Sequence, residues 1–150
     1  MKKKSILDLK NENSVISYIE MLESNISRMS GYSGIIKASI CAIYTILVTI
    51  LISAEKINNY WWLAIIITFM GAIVDAYYLA LERTYVDKYN KFIADLNNGV
   101  LNENSIYDMR PRTTELKCEL LARTINSMFS FSIFGFYLIL ISLSLVIKFM

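Results

Sequence analysis

The chain has 150 residues, 55% of them hydrophobic, and a mean hydropathy of +0.44, too apolar for an ordinary soluble domain. Its net charge is only +2, and the complete lack of histidine removes the commonest general base and the commonest metal ligand. Between and before three apolar blocks, at 35–53, 60–81 and 129–149, the two long stretches 1–34 and 82–128 hold only 81 residues, too few for a typical enzyme domain, so neither catalysis nor a cofactor is expected.

In chain order, MKKKSILDLKNENS is basic but leads into a polar stretch, which argues against a cleavable signal peptide. In residues 14–29, SVISYIEMLESNISRM, the apolar Val15, Ile19, Leu22, Ile26 and Met29 recur at spacings of 4, 3, 4 and 3. That is a narrow heptad seam, with Asn13 or Ser14 as the expected N-cap. Two heptads are too short to stand alone. A matching seam in Val86, Tyr89, Ile93 and Leu96 offers intramolecular packing, and a coiled-coil contact with another chain is the alternative. The stretch Gly31-Tyr32-Ser33-Gly34 predicts a bend before the first span, or else close packing.

Each apolar block has 19 to 22 residues, enough to cross roughly 30 Å of hydrocarbon as a helix. Span one carries a stripe of Ala38, Ala42, Thr45, Thr49 and Ser53, and span two carries Ala64, Thr68, Gly71 and Asp75, continuing to Tyr78 and Glu82. Span three offers Ser132, Gly135 and Ser142. Small, weakly polar stripes let helices approach closely in lipid, within one chain or around a polar pathway in an oligomer. The turn AEKINN makes spans one and two a tight hairpin, and Tyr60, Trp61 and Trp62 fit an interfacial aromatic belt, with Tyr77 and Tyr78 at the other end. No proline and no glycine interrupts residues 72–98, so span two is expected to leave the membrane as one long helix that Asn97-Asn98-Gly99 then caps. Pro111 stands alone in its type, and Thr113 or Thr114 is expected to cap a helix, ELKCELLARTINSMF, running into span three with Leu116, Leu120 and Leu121 on its apolar face. Cys41 and Cys118 suit neither a disulfide nor a metal site.

Lysine and arginine concentrate before span one and between spans two and three, whereas the 54–59 turn has only Lys56 and the C-terminus only Lys148. The positive-inside rule therefore puts the N-terminus and residues 82–128 in the cytoplasm and the C-terminus outside. Asp75 is the most unusual residue, because a carboxylate at a helix centre in lipid costs about 2.5–3.5 kcal/mol and needs a partner or water. Either Lys37 pairs with it and locks the hairpin, or Asp75 faces a wet vestibule that attracts cations. Thr68 and Glu82 extend the same polar line. Arg110, Arg112, Lys117 and Arg123 form a loose basic cluster, serving topology and headgroup contact or else an anionic ligand whose base stacks on Tyr107.

Two strings carry a resemblance: RMSGYSGIIKASICAI at 28–43 and VDAYYLALERTYVDKY at 74–89. They resemble small bacterial three-helix membrane effectors of antiphage defence, the Hailong type in particular, over about residues 26–96. The resemblance implies an oligomeric, ligand-gated channel in the bacterial inner membrane, held inactive by short oligonucleotides that a partner nucleotidyltransferase makes. It carries no ligand residues onto this chain.

The expected fold is an all-α membrane protein with three transmembrane helices. Residues 1–34 form an N-terminal cytoplasmic amphipathic helix, 35–81 a transmembrane hairpin, 82–128 a cytoplasmic helical hairpin and 129–150 the third span. Three helices cannot enclose a water-filled pore, so conductance requires a homo-oligomer, expected as a symmetric ring in the lipid bilayer. A non-conducting anchor that recruits a soluble partner is the alternative.

Overall fold

A computed structural model of the chain describes residues 13–100 and 116–149, apart from the side chains at 57, 58 and 116–119. Four helices follow one another: α1 (Asn13–Ser53), α2 (Ile57–Asn97), α3 (Leu116–Met128) and α4 (Phe131–Lys148). No strand occurs among the described residues. Of the four, α1, α2 and α4 are long and apolar enough to cross a membrane, which marks a membrane location.

At 41 residues each, α1 and α2 are roughly 60 Å long, about twice the thickness of a hydrocarbon core. Each therefore has a half that fits in lipid and a half that projects as a two-helix stalk. Helix α2 packs against all three others, while α1 and α4 meet through side chains alone. Two hydrophobic clusters follow from this layout. In the bundle, Tyr44, Ala64, Ala72, Ala76, Ile133, Tyr137 and Leu140 come together, and in the stalk Val15, Tyr18 and Leu22 meet Phe92 and Leu96.

Helix α1 passes through Gly31 and Gly34 without a break in the helix. Close packing is absent, since a Cβ at either glycine would meet nothing within 4 Å. Each glycine costs about 1 kcal/mol relative to alanine. Breaking the helix here would also leave backbone groups without partners next to an apolar segment. The stalk contact is centred a little off the expected seams. Tyr18 and Phe92, on neither seam, are buried with ring centroids 4.8 Å apart in an edge-to-face arrangement. A narrow a/d pattern identifies the facing sides but not the wider strip that two aromatic rings cover.

The small-residue stripes behave differently on each span. On α2, Ala64, Thr68, Gly71 and Asp75 turn inward, and a Cβ built on Gly71 would lie 2.5 Å from Ile40 Cγ1. The glycine is thus what lets α1 approach α2. On α1 the stripe points away: Ala38, Ala42, Thr45, Thr49 and Ser53 are all exposed, and Tyr44 and Leu51 face the bundle instead. On α4 the inward residues are Ile133, Tyr137, Leu140 and Ser144, whereas Ser132 and Ser142 are exposed and a Cβ at Gly135 would meet nothing within 4 Å.

Both long helices close in the same way. At 54–56, Lys56 N–H donates to Leu51 C=O and Glu55 N–H to Ile52 C=O, with Glu55 in the left-handed region at φ 54°. At 98–100, Val100 N–H reaches Asp95 C=O and Gly99 N–H reaches Leu96 C=O, with Gly99 at φ 69°. The expected run of α3 into the third span is interrupted: α3 ends at Met128, and Ser130 adopts an extended conformation before α4 starts. Ser130 C=O accepts from the N–H groups of Ile133 and Phe134, so a fresh helix begins there. The proposed caps at Thr113 and Thr114 lie outside the described residues. At the opposite end of the bundle, Lys148 Nζ sits 4.6 Å from the centre of the Trp61 ring and ties α4 to the start of α2.

Replacing Gly71 by valine should force Ile40 aside and destabilise the hairpin by about 1–3 kcal/mol. A second change, Ile40→Ala, should restore part of the loss, read as the thermal midpoint of detergent-solubilised protein. Equal midpoints for Gly71→Val and wild type would contradict the close approach.

Candidate functional site

Serine and threonine inside these helices have two fates. Thr45, Thr49, Thr68, Thr84, Thr124 and Ser142 each donate to the carbonyl four residues back, so their hydroxyls are satisfied locally. Ser33 and Ser132 instead bond charged groups on other helices. That difference locates the site.

Asp75 lies on α2 with its side chain fully buried. Ser33 and Lys37 are four residues apart on α1 and therefore point at it from one face. Ser33 Oγ donates to Asp75 Oδ1 at 2.5 Å, and Lys37 Nζ stands 3.4 Å from Asp75 Oδ2. The same ammonium donates to Ser33 Oγ and to Ser132 Oγ of α4, each at 3.1 Å. Four side chains from three helices thus share one polar knot. The ammonium's own hydrogen bonds run to the serines, so Asp75 Oδ2 receives its charge but no hydrogen bond. Tyr137 of α4 stands beside the knot: its hydroxyl is buried and interacts with the Asp75 carboxylate.

A second polar contact crosses the bundle nearer its other end, where Tyr44 OH and Ser144 Oγ are 3.0 Å apart and both buried. Thr68 is fully buried, but its hydroxyl donates to Ala64 C=O at 2.8 Å, which leaves it a packing residue on the α2 stripe.

Between the stalk helices lies an open groove of about 600 Å³ lined by Glu23, Ser27, Ser30, Gly31, Glu82 and Tyr89. Glu82 is therefore not part of the Asp75 knot. Tyr89 OH donates to Glu23 Oε1 at 3.1 Å, and that bond, with desolvation and the carboxylate's charge, raises the phenol above its usual pKa. Among the described residues, two carboxylates and no cation line the groove, a lining that disfavours an anion.

Of the expected basic cluster, Arg110 and Arg112, together with Tyr107, lie outside the described residues, as does the Lys117 side chain. Arg123 is described and forms an ion pair with Asp87 of α2, which fastens α3 to the stalk. Arg83 also reaches α3 and the residue before α4, donating to Ser127 Oγ at 3.3 Å and to Ser130 Oγ at 3.5 Å. No group of three or more His, Cys, Asp or Glu residues able to hold a metal occurs among the described residues.

Comparison of the chain with protein-family models, curated proteins and solved structures finds no match. Fold and chemistry of the described residues thus define the class: an all-helical membrane protein with three membrane-length helices and a buried charge centre.

Removing one partner of a buried ion pair costs about 3–5 kcal/mol, and less here to the extent that Lys37, 22% exposed, keeps water. Asp75→Asn should therefore lower stability, and the double variant Asp75→Asn, Lys37→Met should recover part of it by removing the stranded cation. Chemical unfolding in mixed micelles measures both. A single variant as stable as wild type would show that the knot does not hold the bundle.

Proposed function

We propose that this chain is the subunit of an oligomeric membrane effector, an ion channel or pore gated by a cytoplasmic nucleotide or oligonucleotide signal. It acts in bacterial antiphage defence by disrupting the inner membrane. The observation that carries the reading is the outward stripe of α1, Ala38, Ala42, Thr45, Thr49 and Ser53. In lipid no hydrophobic force draws helices together, and such a stripe is the kind of face on which backbones approach closely. The other described residues leave it open, so neighbouring copies are its natural occupants, around a pathway that Thr45 and Thr49 would line.

The stalk supplies the lever. Arg28, Lys37, Arg83, Lys88, Lys91 and Arg123 all lie on the stalk side, and Lys56 and Lys148 at the opposite end. The positive-inside rule then orients the stalk to the cytoplasm and the C-terminus outward. Helices α1 and α2 run from the stalk into the bundle without interruption, and the Ser33–Lys37–Asp75–Ser132 knot fastens them to α4. Moving a two-state equilibrium from 1:99 to 99:1 takes about 5.5 kcal/mol of differential binding. The loss of one partner of a buried ion pair is of the same order. The knot is thus a latch of suitable strength for a gate. The ligand class rests on the resemblance of 28–43 and 74–89, with Tyr107, Arg110, Arg112 and Lys117 as its candidate contacts, because the acidic groove suits no anion and Arg123 already holds Asp87.

A scaffold or anchor is the second reading, favoured by Leu121 and Ile125, exposed by 64% and 56% on one face of α3, where a soluble partner could sit. Ion flux from proteoliposomes separates the two. Purified oligomer, tested with and without short oligonucleotides, should pass ions in at least one condition, and Thr45→Leu with Thr49→Leu should reduce the flux. Flux absent in every condition would leave the anchor.

A further inference from the structure

One cation near the membrane boundary is held by hydroxyls alone among the described residues. Lys37 has Asp75 and Arg123 has Asp87, but no carboxylate among the described residues pairs with Arg83. Its guanidinium, on an exposed side chain, makes two long bonds to the Ser127 and Ser130 hydroxyls, which leaves three of its five N–H groups unused. Ser130 lies between Phe129 and Phe131, whose exposures are 76% and 93%. Phe131 is the most exposed large apolar residue described.

These features share one place, the elbow between α3 and α4. The outward side of α4 continues from it: Phe131, Phe134 and Leu138, at i, i+3 and i+7, are exposed in a row. A lipid chain lying along that row brings its headgroup to the elbow and to Arg83. Two bare phenylalanines are unfavourable in water and favourable among acyl chains. A planar guanidinium with spare donors matches a phosphate oxygen pair.

We propose that the α3–α4 elbow is a docking surface for one anionic phospholipid. Arg83 donates to the headgroup phosphate, Ser130 supplies a hydroxyl donor, and Phe129 and Phe131 insert beside the acyl chains. The proposal rests on the membrane placement of α4 and is independent of channel activity. Because Arg83 also bonds Ser127, a bound headgroup draws on the guanidinium that holds α3 to α2, so lipid composition bears on how tightly the elbow is fastened.

The test uses delipidated full-length protein in detergent, with phosphatidylglycerol or phosphatidylcholine added and bound lipid counted by native mass spectrometry. Phosphatidylglycerol should be retained more tightly than phosphatidylcholine. Arg83→Gln should weaken it about five-fold, the worth of one basic residue near an anionic surface, and Arg83→Lys should keep most of the preference. Phe131→Ser should weaken both lipids alike and leave the headgroup preference intact. Equal retention of the two lipids by wild type, or unchanged retention by Arg83→Gln, overturns the proposal. So does displacement of the lipid by millimolar inorganic phosphate, which marks a site for a free anion, or a Phe131→Ser effect on oligomer mass alone, which marks a protein interface. Recovery of wild type outside the membrane fraction removes the membrane reading and this proposal together, whereas membrane-bound protein without a headgroup preference removes only the proposal.

Discussion

A carboxylate within an apolar helix sets the terms for everything around it. Hydrocarbon offers no water to solvate the charge, so the fold has to supply a counter-charge and hydrogen-bond donors at one point. Asp75 obtains them from α1 through Ser33 and Lys37, and the same ammonium reaches α4 through Ser132. The relative position of three helices is therefore specified by one group that cannot be left alone. Apolar packing would tolerate a slide of one helix past another far more readily. Gly71 fixes how closely α1 approaches α2, and Asp75, four residues further on the same face, fixes where along their length they meet.

Helix α4 belongs to the bundle through its packing on α2, and the knot adds a link to α1, with which α4 does not pack backbone to backbone. Two side-chain bridges, Lys37–Ser132 and Tyr44–Ser144, join them at separate depths. With Lys148 stacked over Trp61, α4 is held at both ends. The outward face of α1 takes no part in any of this, which leaves it available for contacts beyond the chain.

Much of the architecture was legible in the residues. Three apolar blocks of membrane length, a run of α2 without a breaker and the Asn-Asn-Gly cap all describe local physics, and local physics is what a single sequence carries best. The pairing of Lys37 with Asp75 was also accessible, since a charge in an apolar segment demands a partner. Ser33 could have been found by asking what stands four residues before that lysine. Tyr137 and the inward face of α4 could not, because a uniformly apolar helix gives no periodic signal to mark its buried side. At Gly31 and Gly34 glycine permits a break in the helix but does not impose one, and the helix continues through both.

The tight closure at 54–56 has a mechanical consequence. With three residues joining α1 to α2, the two helices cannot separate at that end, and any relative motion opens them like a pair of tongs. Ser33 stands 20 residues from the end of α1 at Ser53, roughly 30 Å by helix rise, and Val15 stands 38 residues away, roughly 57 Å. A small angular change at the pivot therefore moves the stalk tips about twice as far as it moves Ser33 from Asp75. Run in reverse, force applied at the tips reaches the ion pair with a two-fold mechanical advantage.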